Sequence, residues 1–136
     1  MIVVDSSALI AILDNEQDAV TYAEALAEAD AALISAATLL ETAIVMINRH
    51  GERSARVLDE LVQEAGLEVE SVTVHHVNLA REAYVAYGKG RNTAGLNFGD
   101  CFSYALAKAT GAPLLFKGDD FSRTDIEAAP KVEQKS

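Results

Sequence analysis

Short apolar runs alternate with amphipathic segments along this chain. Ile2–Val4, Ala32–Ile34 and Pro113–Phe116 are apolar runs typical of buried strands, and Leu67–Val74 alternates apolar with polar residues as a half-buried strand does. Between these runs, apolar residues recur at helical spacing, bounded by Ser, Asn and Gly. The predicted helices are Ala8–Leu13 after a Ser6 cap, Gln17–Ala29, Ser35–Arg49, Ser54–Ala65, Asn78–Tyr87 and Asn97–Gly111.

This alternation of strands and helices predicts an α/β fold with a short, mainly parallel sheet. The 136 residues suit one domain with a core of its own. In such sheets, ligands bind beyond the carboxyl ends of the strands. Polar residues that directly follow a predicted strand are therefore the first candidates for a site.

Composition excludes several classes of protein. No stretch of about 18 apolar residues exists, so the sequence predicts no membrane span. The N-terminus lacks a basic region, and Asp5 interrupts its first apolar run, so we do not expect a signal peptide. A single cysteine, Cys101, excludes an internal disulfide framework and a thiolate zinc site. We therefore predict a cytoplasmic protein.

Charge is distributed unevenly. The net charge is −10, and the first 48 residues hold eight acids and no Lys or Arg. Five bases lie between residues 85 and 125. The total charge argues against general nucleic-acid binding, which needs bases to neutralise phosphates. The acidic first part is either a solubilising surface or a face that docks a basic partner.

Five acidic residues, at four places in the chain, lie where an ionised carboxylate is energetically unfavourable. Asp5 ends the first apolar run, Glu41 lies inside an apolar helix and Asp100 opens another, while Asp119 and Asp120 follow the last predicted strand. Burying an unpaired carboxylate costs several kcal/mol or more. A hard divalent cation makes such a cluster tolerable, so we predict a site for Mg²⁺ or Mn²⁺.

Each of these acids also has a purely structural interpretation. Asp5 is a good helix N-cap, and an acid in the first turn, such as Asp100, favours the helix dipole. Glu41 lies alternatively on an exposed stripe beside Thr38 and Thr42. The pattern alone leaves these alternatives open.

Neighbouring polar residues support the candidate acids. Ser7 follows Asp5 at a tight turn and can hydrogen-bond a ligating carboxylate. Asn97 supplies a helix cap and can orient Asp100 or a metal-bound water. The residues expected to bury this end of the helix are Phe98, Cys101, Phe102, Ala105 and Leu106.

Other reactive residue types give weaker signals. His50, His75 and His76 have no paired spacing to another ligand, so we expect them to be surface or satisfied histidines. Cys101 is expected to be a small core residue. The glycine-rich loop 88–95 lacks the Gly-Lys-Ser/Thr ending of a phosphate-binding loop.

Taken together, the order of these motifs resembles the PIN domain, and more narrowly the VapC toxins of bacterial toxin–antitoxin pairs. The segments that carry the resemblance are Asp5 after an N-terminal strand, Glu41 in an apolar helix, Asn97-Phe98-Gly99-Asp100-Cys101, and Leu114-Leu115-Phe116-Lys117-Gly118-Asp119-Asp120-Phe121. The resemblance implies a PIN-like three-layer sandwich over residues 1–128, followed by a polar C-terminal tail, 129–136.

The resemblance also implies an activity and a set of residues. It implies a metal-dependent endoribonuclease that cleaves RNA phosphodiester bonds and is neutralised by a VapB-type antitoxin, usually as a homodimer. The catalytic and metal-binding acids carried over by position are Asp5, Glu41, Asp100 and Asp120, with Asp119 sharing or taking the last role. Ser7 stands at the usual Ser or Thr position.

The bases near the site are the expected RNA contacts, and an antitoxin helix is expected between the Ala8–Leu13 and Ser54–Ala65 helices. The RNA contacts are Lys89, Arg91, Lys117 and Arg123. One competing hypothesis is a phosphoacceptor signalling domain that uses Lys117, but Asp5 then lacks the acidic partner it needs. Another is a non-catalytic PIN-like binding module that keeps the acids for stability.

Overall fold

The computed structural model describes residues 1–90, 92 and 94–131. Within that part of the chain, strands alternate with helices as the sequence predicts. The strands are β1 (Ile2–Val4), β2 (Ala32–Ser35), β3 (Leu67–Glu70) and β4 (Leu114–Leu115). The helices are α1 (Ser6–Leu13), α2 (Ala19–Glu28), α3 (Ala36–His50), α4 (Ser54–Glu64), α5 (Val74–Tyr87) and α6 (Phe98–Thr110).

The four strands form one parallel sheet in the order β3-β2-β1-β4. Val3 lies opposite Leu33 on one side and Leu114 on the other, so β1 is an inner strand. Parallel strands end at the same edge of a sheet, which brings the residues that follow β1, β2 and β4 close together.

Helices cover both faces of the sheet, which confirms the three-layer sandwich. Val4 and Ile34 pack toward α1, α2 and α4, whereas their neighbours Val3 and Leu33 pack toward α5 and α6. This alternation follows from the two-residue period of a strand. A strand buried on both faces reads as an unbroken apolar run, as β1 does. No helix among the described residues is long and apolar enough to cross a membrane.

Helix α5 begins four residues earlier than the sequence predicts. It starts at Val74, and β3 ends at Glu70, so the prediction of a strand to Val74 and a helix from Asn78 was wrong at this junction. The physical reason is a cap: the Thr73 hydroxyl accepts a hydrogen bond from the backbone N–H of His76 at 3.2 Å. Capping by Thr73 outweighs the apolar–polar alternation that continues through Val72 and Val74.

Helix α3 is rotated relative to the expectation from hydropathy. Thr38 and Thr42 are buried, while Leu40 is 61% exposed and Ile44 is 48% exposed. The interpretation that placed Glu41 on an exposed stripe with the two threonines was therefore wrong. Burial of Thr42 costs little because its hydroxyl donates to the Thr38 carbonyl at 2.8 Å.

Phe98 does not bury the start of α6. Its side chain is 78% exposed and meets Phe102 edge-to-face, with ring centroids 5.0 Å apart. Cys101 is buried in the core, as expected. The prediction for Phe98 was wrong because its side chain lies between two open grooves, one beside α5 and one beside α3, and neither helix covers it.

The described chain continues past β4 into the fold. Ala129 is buried, and its N–H donates to the Leu114 carbonyl at 2.8 Å. Residues 132–136 of the expected polar tail lie outside the described residues.

Candidate acidic active site

The candidate acids meet at the carboxyl ends of β1 and β4. Asp5 directly follows β1, and its backbone N–H donates to the Leu115 carbonyl at 2.9 Å. The N–H of Lys117 donates to the Ser7 hydroxyl at 2.9 Å, which joins the segment after β4 to the start of α1. The site therefore lies at the edge of the sheet that the α/β pattern predicts.

Asp5 is 3% exposed, and three donors hold its carboxylate. The N–H and hydroxyl of Ser7 donate to Oδ2 at 3.1 and 2.7 Å, and the Ser103 hydroxyl donates to Oδ1 at 2.5 Å. Asp5 is thus the N-cap of α1, and the cap expected from Ser6 was wrong, since Ser6 lies inside the helix. Capping through Oδ2 leaves a lone pair of Oδ1 for another ligand.

Glu41 reaches the same region from α3. The Ser6 hydroxyl donates to its Oε1 at 3.0 Å, and the side chain is half-buried. Burial raises the pKa of Glu41 above its usual value, and the charge of Asp5 adds to this rise.

Asp100 is 8% exposed in the first turn of α6. It forms a capping box with Asn97, in which the Asn97 Oδ1 accepts from the Asp100 N–H at 2.9 Å and the Asp100 Oδ2 accepts from the Asn97 N–H at 3.0 Å. Burial raises the pKa of Asp100 from 3.8 to about 7, and the charges of Asp5, Asp120 and Glu41 also raise it. The charges of Asp5, Glu41 and Asp120 thus all act on Asp100.

Asp119 and Asp120 are both exposed, so their carboxylates do not carry the cost of burial that the sequence predicts for them. The Asp119 carbonyl accepts hydrogen bonds from the N–H and hydroxyl of Ser122 at 3.2 and 2.7 Å, which forms a turn. Of the pair, Asp120 is the one whose charge raises the pKa of Asp100. This coupling favours Asp120 as the fourth acid of the cluster.

Sequence reasoning missed two buried hydroxyls behind Asp5. Ser103 is fully buried, and because its proton is donated to Asp5, its oxygen accepts from the Thr38 hydroxyl 3.3 Å away. The chain Thr38–Ser103–Asp5 fixes the orientation of the carboxylate. A signal for Ser103 was available, because it is a polar residue one helical turn after Asp100 in an otherwise apolar segment.

The predicted RNA-contacting bases lie in different settings. Lys117 forms ion pairs with Glu16 at 2.6 Å and Asp18 at 3.0 Å. Lys89 lines a groove of about 660 Å³ together with Asn97 and Phe98. Arg123 is exposed, and Arg91 lies outside the described residues.

The donor chemistry of the cluster fits a hard divalent cation. All four side chains offer only carboxylate oxygens, which Mg²⁺ and Mn²⁺ prefer. No three His, Cys, Asp or Glu side chains of the described part stand at the spacing of a preformed metal site. A hydrated Mg²⁺ retains several waters and binds through one or two carboxylates, so a loosely spaced acidic set suits it.

Comparison with known proteins identifies the family. The PIN domain family model matches residues 2–127. Ribonuclease VapC30 of Mycobacterium tuberculosis is 52% identical, covering 91% of this chain and 95% of its own length. Ribonuclease VapC of Mycolicibacterium smegmatis is 50% identical, covering 93% of this chain and 98% of its own length. The chain belongs to the PIN domain family and, within it, to the VapC ribonucleases.

A solved structure shares the fold at lower identity. Mycobacterium tuberculosis VapC20, described as a Sarcin-Ricin loop cleaving toxin, aligns with a TM-score of 0.77 at 24% identity, over 96% of this chain and 100% of its own. The family membership confirms the resemblance drawn from the sequence and excludes the phosphoacceptor hypothesis.

Proposed function

We propose that this chain is a metal-dependent endoribonuclease toxin that acts in the cytoplasm on RNA phosphodiester bonds. The observation that carries the proposal is the burial of the Asp5 and Asp100 carboxylates at the carboxyl ends of the strands, where Glu41 joins them through its contact with Ser6. Relatives of about 50% identity bear the name ribonuclease VapC. Cleavage of a labelled RNA in Mn²⁺, compared with EDTA, tests the proposal.

Each acid has a defined part in this proposal. Asp5 would bind Mg²⁺ or Mn²⁺ through Oδ1, because the N–H and the hydroxyl of Ser7 both donate to Oδ2. Asp100, Glu41 and Asp120 would contact the ion directly or through its bound waters, with Ser7, Ser103 and Asn97 holding the acids in orientation. The ion supplies charge that stabilises a scissile phosphate and lowers the pKa of a bound water. Without a cation, the same carboxylates repel the phosphate of RNA.

We propose Lys89 and Arg91 as RNA contacts because Lys89 borders the groove beside Asn97 and Phe98. Replacing Lys89 with Ala is expected to weaken RNA binding and to reduce the salt slope of the affinity by about one, since one phosphate contact is lost. Fluorescence anisotropy at several salt concentrations measures this. Lys131 is the matched control, because its ammonium lies over the Tyr22 ring, 4.9 Å from the centroid, near the opposite edge of the sheet. If the salt slope of RNA affinity is the same for Lys89→Ala and the native chain, Lys89 does not contact RNA and the RNA-binding surface lies elsewhere.

A VapB-type antitoxin is the proposed inhibitor. Chains of similar fold occur in a toxin–antitoxin complex from Klebsiella pneumoniae and in VapBC2 of Rickettsia felis bound to promoter DNA. A groove of about 450 Å³ between α2 and α4 is lined by Ala23, Leu26, Ala27 and Leu61, and Ile12 of α1 reaches it. We propose that an apolar antitoxin helix occupies this groove. The sequence predicts a groove between the first helix and Ser54–Ala65, whereas the observed groove is lined mainly by α2 and α4.

We further propose that an antitoxin arginine enters the acidic cluster, where bidentate hydrogen bonds replace the cation. A basic antitoxin peptide is then expected to inhibit cleavage in competition with Mn²⁺. Titrating the peptide at several Mn²⁺ concentrations checks this, with the same peptide carrying Lys for Arg as a control. If the apparent affinity of the peptide does not change with Mn²⁺ concentration, the arginine does not enter the acidic cluster.

We propose that a second copy of the chain binds beside the acidic cluster, at the groove between α3 and the start of α6. Leu40, Ile44 and Phe98 are exposed beside one another, and they line an apolar groove of about 430 Å³ with Val45 and Phe102. Glu41 also lines this groove, but apolar side chains make up most of its lining. In a chain with a net charge of −10, two copies meet with least repulsion at a mainly apolar surface of this kind. Light scattering tests the homodimer, and a mass near 14.5 kDa, that of one chain, contradicts it.

A further inference from the structure

Gly99 lies in the first turn of α6, between the exposed Phe98 and the buried Asp100. Its φ is outside the left-handed region, so the backbone there does not require glycine. Alanine is the better helix former, because glycine loses more backbone entropy on folding. The choice of glycine at this position therefore needs another cause.

The space beside the Gly99 Cα holds the carboxylate of Glu41. A Cβ built on Gly99 would lie 2.6 Å from Cδ of Glu41 and 2.9 Å from Oε1, and closer still to Oε2. Every atom that it meets is at the end of a flexible side chain on another helix. Alanine would therefore leave the backbone of α6 in place and displace the carboxylate.

The Glu41 carboxylate is held on two sides. Its Oε1 accepts from the Ser6 hydroxyl at 3.0 Å, and its Oε2 rests against Gly99. The first turn of a helix carries partial positive charge, which favours a carboxylate at this position. The missing side chain thus lets Glu41 of α3 approach Asp100 of α6.

We propose that Gly99 is a positioning residue for the metal site, retained because its missing Cβ is the space in which the Glu41 carboxylate lies. This inference rests on the proposed metal-dependent function. Gly99 then affects cation binding only by fixing the position of the Glu41 carboxylate.

Four proteins test this inference: the native chain, Gly99→Ala, Glu41→Ala and the double variant. Mn²⁺ affinity is measured by titration calorimetry, and thermal unfolding is measured in EDTA. Gly99→Ala is expected to weaken Mn²⁺ binding about 10–100-fold, as loss of a supporting contact does. In the Glu41→Ala background the same change is expected to have no further effect. The unfolding temperature is expected to rise more in that background, where no carboxylate must move.

Gly111→Ala is the matched control, because Gly111 ends the same helix at φ +69 with open space at its Cβ position. It is expected to lower the unfolding temperature and leave Mn²⁺ affinity unchanged. Native Mn²⁺ affinity in Gly99→Ala, or an equal loss in both backgrounds, overturns the inference. If the native chain binds no Mn²⁺, the proposed function fails, and the unfolding temperatures still decide the role of Gly99. Equal shifts in both backgrounds would then refute it.

Discussion

Replacing Asp100 with Asn is expected to abolish RNA cleavage while making the metal-free protein more stable at pH 7. The substitution removes a buried charge that Asp5, Glu41 and Asp120 repel. It keeps the capping box, because the amide oxygen of Asn accepts from the Asn97 N–H as the carboxylate does. The expected gain in unfolding free energy without metal is on the order of a few kcal/mol. Urea unfolding in EDTA measures it.

Asp5→Asn is the matched control, because this substitution is expected to lower the unfolding free energy where Asp100→Asn raises it. Asp5 accepts three hydrogen bonds from Ser7 and Ser103, and an amide nitrogen in place of one oxygen faces a donor that it cannot satisfy. That variant is expected to lose about 1–3 kcal/mol of stability as well as cleavage. A loss of stability in Asp100→Asn as large as that in Asp5→Asn would contradict the unfavourable burial of the Asp100 charge beside the other acids.

The metal-free native protein is expected to lose stability as the pH rises from about 4 to 7. Asp100 has a folded-state pKa of about 7 and an ordinary value of 3.8. In this window the folded protein binds the proton more tightly than the unfolded chain, so the unfolding free energy falls with rising pH. The raised pKa of Glu41 acts in the same direction. The total change is on the order of a few kcal/mol.

Denaturant unfolding in EDTA at pH 5 and pH 7 measures this dependence, and Asp100→Asn is expected to flatten it. Mn²⁺ at about 100 times its dissociation constant is expected to restore about 2.7 kcal/mol at pH 7 through mass action. A native protein in EDTA that is more stable at pH 7 than at pH 5 would contradict the raised pKa of Asp100, which burial and the neighbouring acids cause.

The sheet and most helix ends were predictable because local chemistry decides them. The run Ile2–Val4 forms β1, Ser35 caps α3 through the Ala37 N–H at 3.3 Å, and Asn97 caps α6. Gly111 ends α6 in the left-handed conformation. Each of these features depends on residues within a few positions of one another, which the sequence displays directly.

The rotation of α3 and the exposure of Phe98 were not predictable from hydropathy. Thr38 is buried because a hydroxyl 65 residues away pairs with it, and Leu40 is exposed although it is apolar. Hydropathy orders residues by their average preference and contains no information on which partner a buried hydroxyl finds. The exposure of Leu40 and Phe98 supports the contact between two copies of the chain that is proposed above.

The candidate acids were proposed from the sequence, but most of the groups that contact them in the structure were not. Asp5 and Asp100 stand at positions where strand ends and helix starts reveal them. Ser103 and Gly99 matter through contacts with Asp5 and Glu41, which are distant in the sequence. Such contacts depend on how α3 and α6 pack, which the pattern of single helices does not specify.

The most direct test of the acidic metal site is RNA cleavage by the native chain and by Asp100→Asn, in Mn²⁺ and in EDTA. The substrate is an end-labelled single-stranded RNA, and internal products are resolved on a denaturing gel. The native chain is expected to cut only with Mn²⁺, and Asp100→Asn, although at least as stable in EDTA, is expected to give no product. Cleavage by Asp100→Asn at the native rate, or equal native cleavage in EDTA, would contradict a metal-dependent site built on these acids.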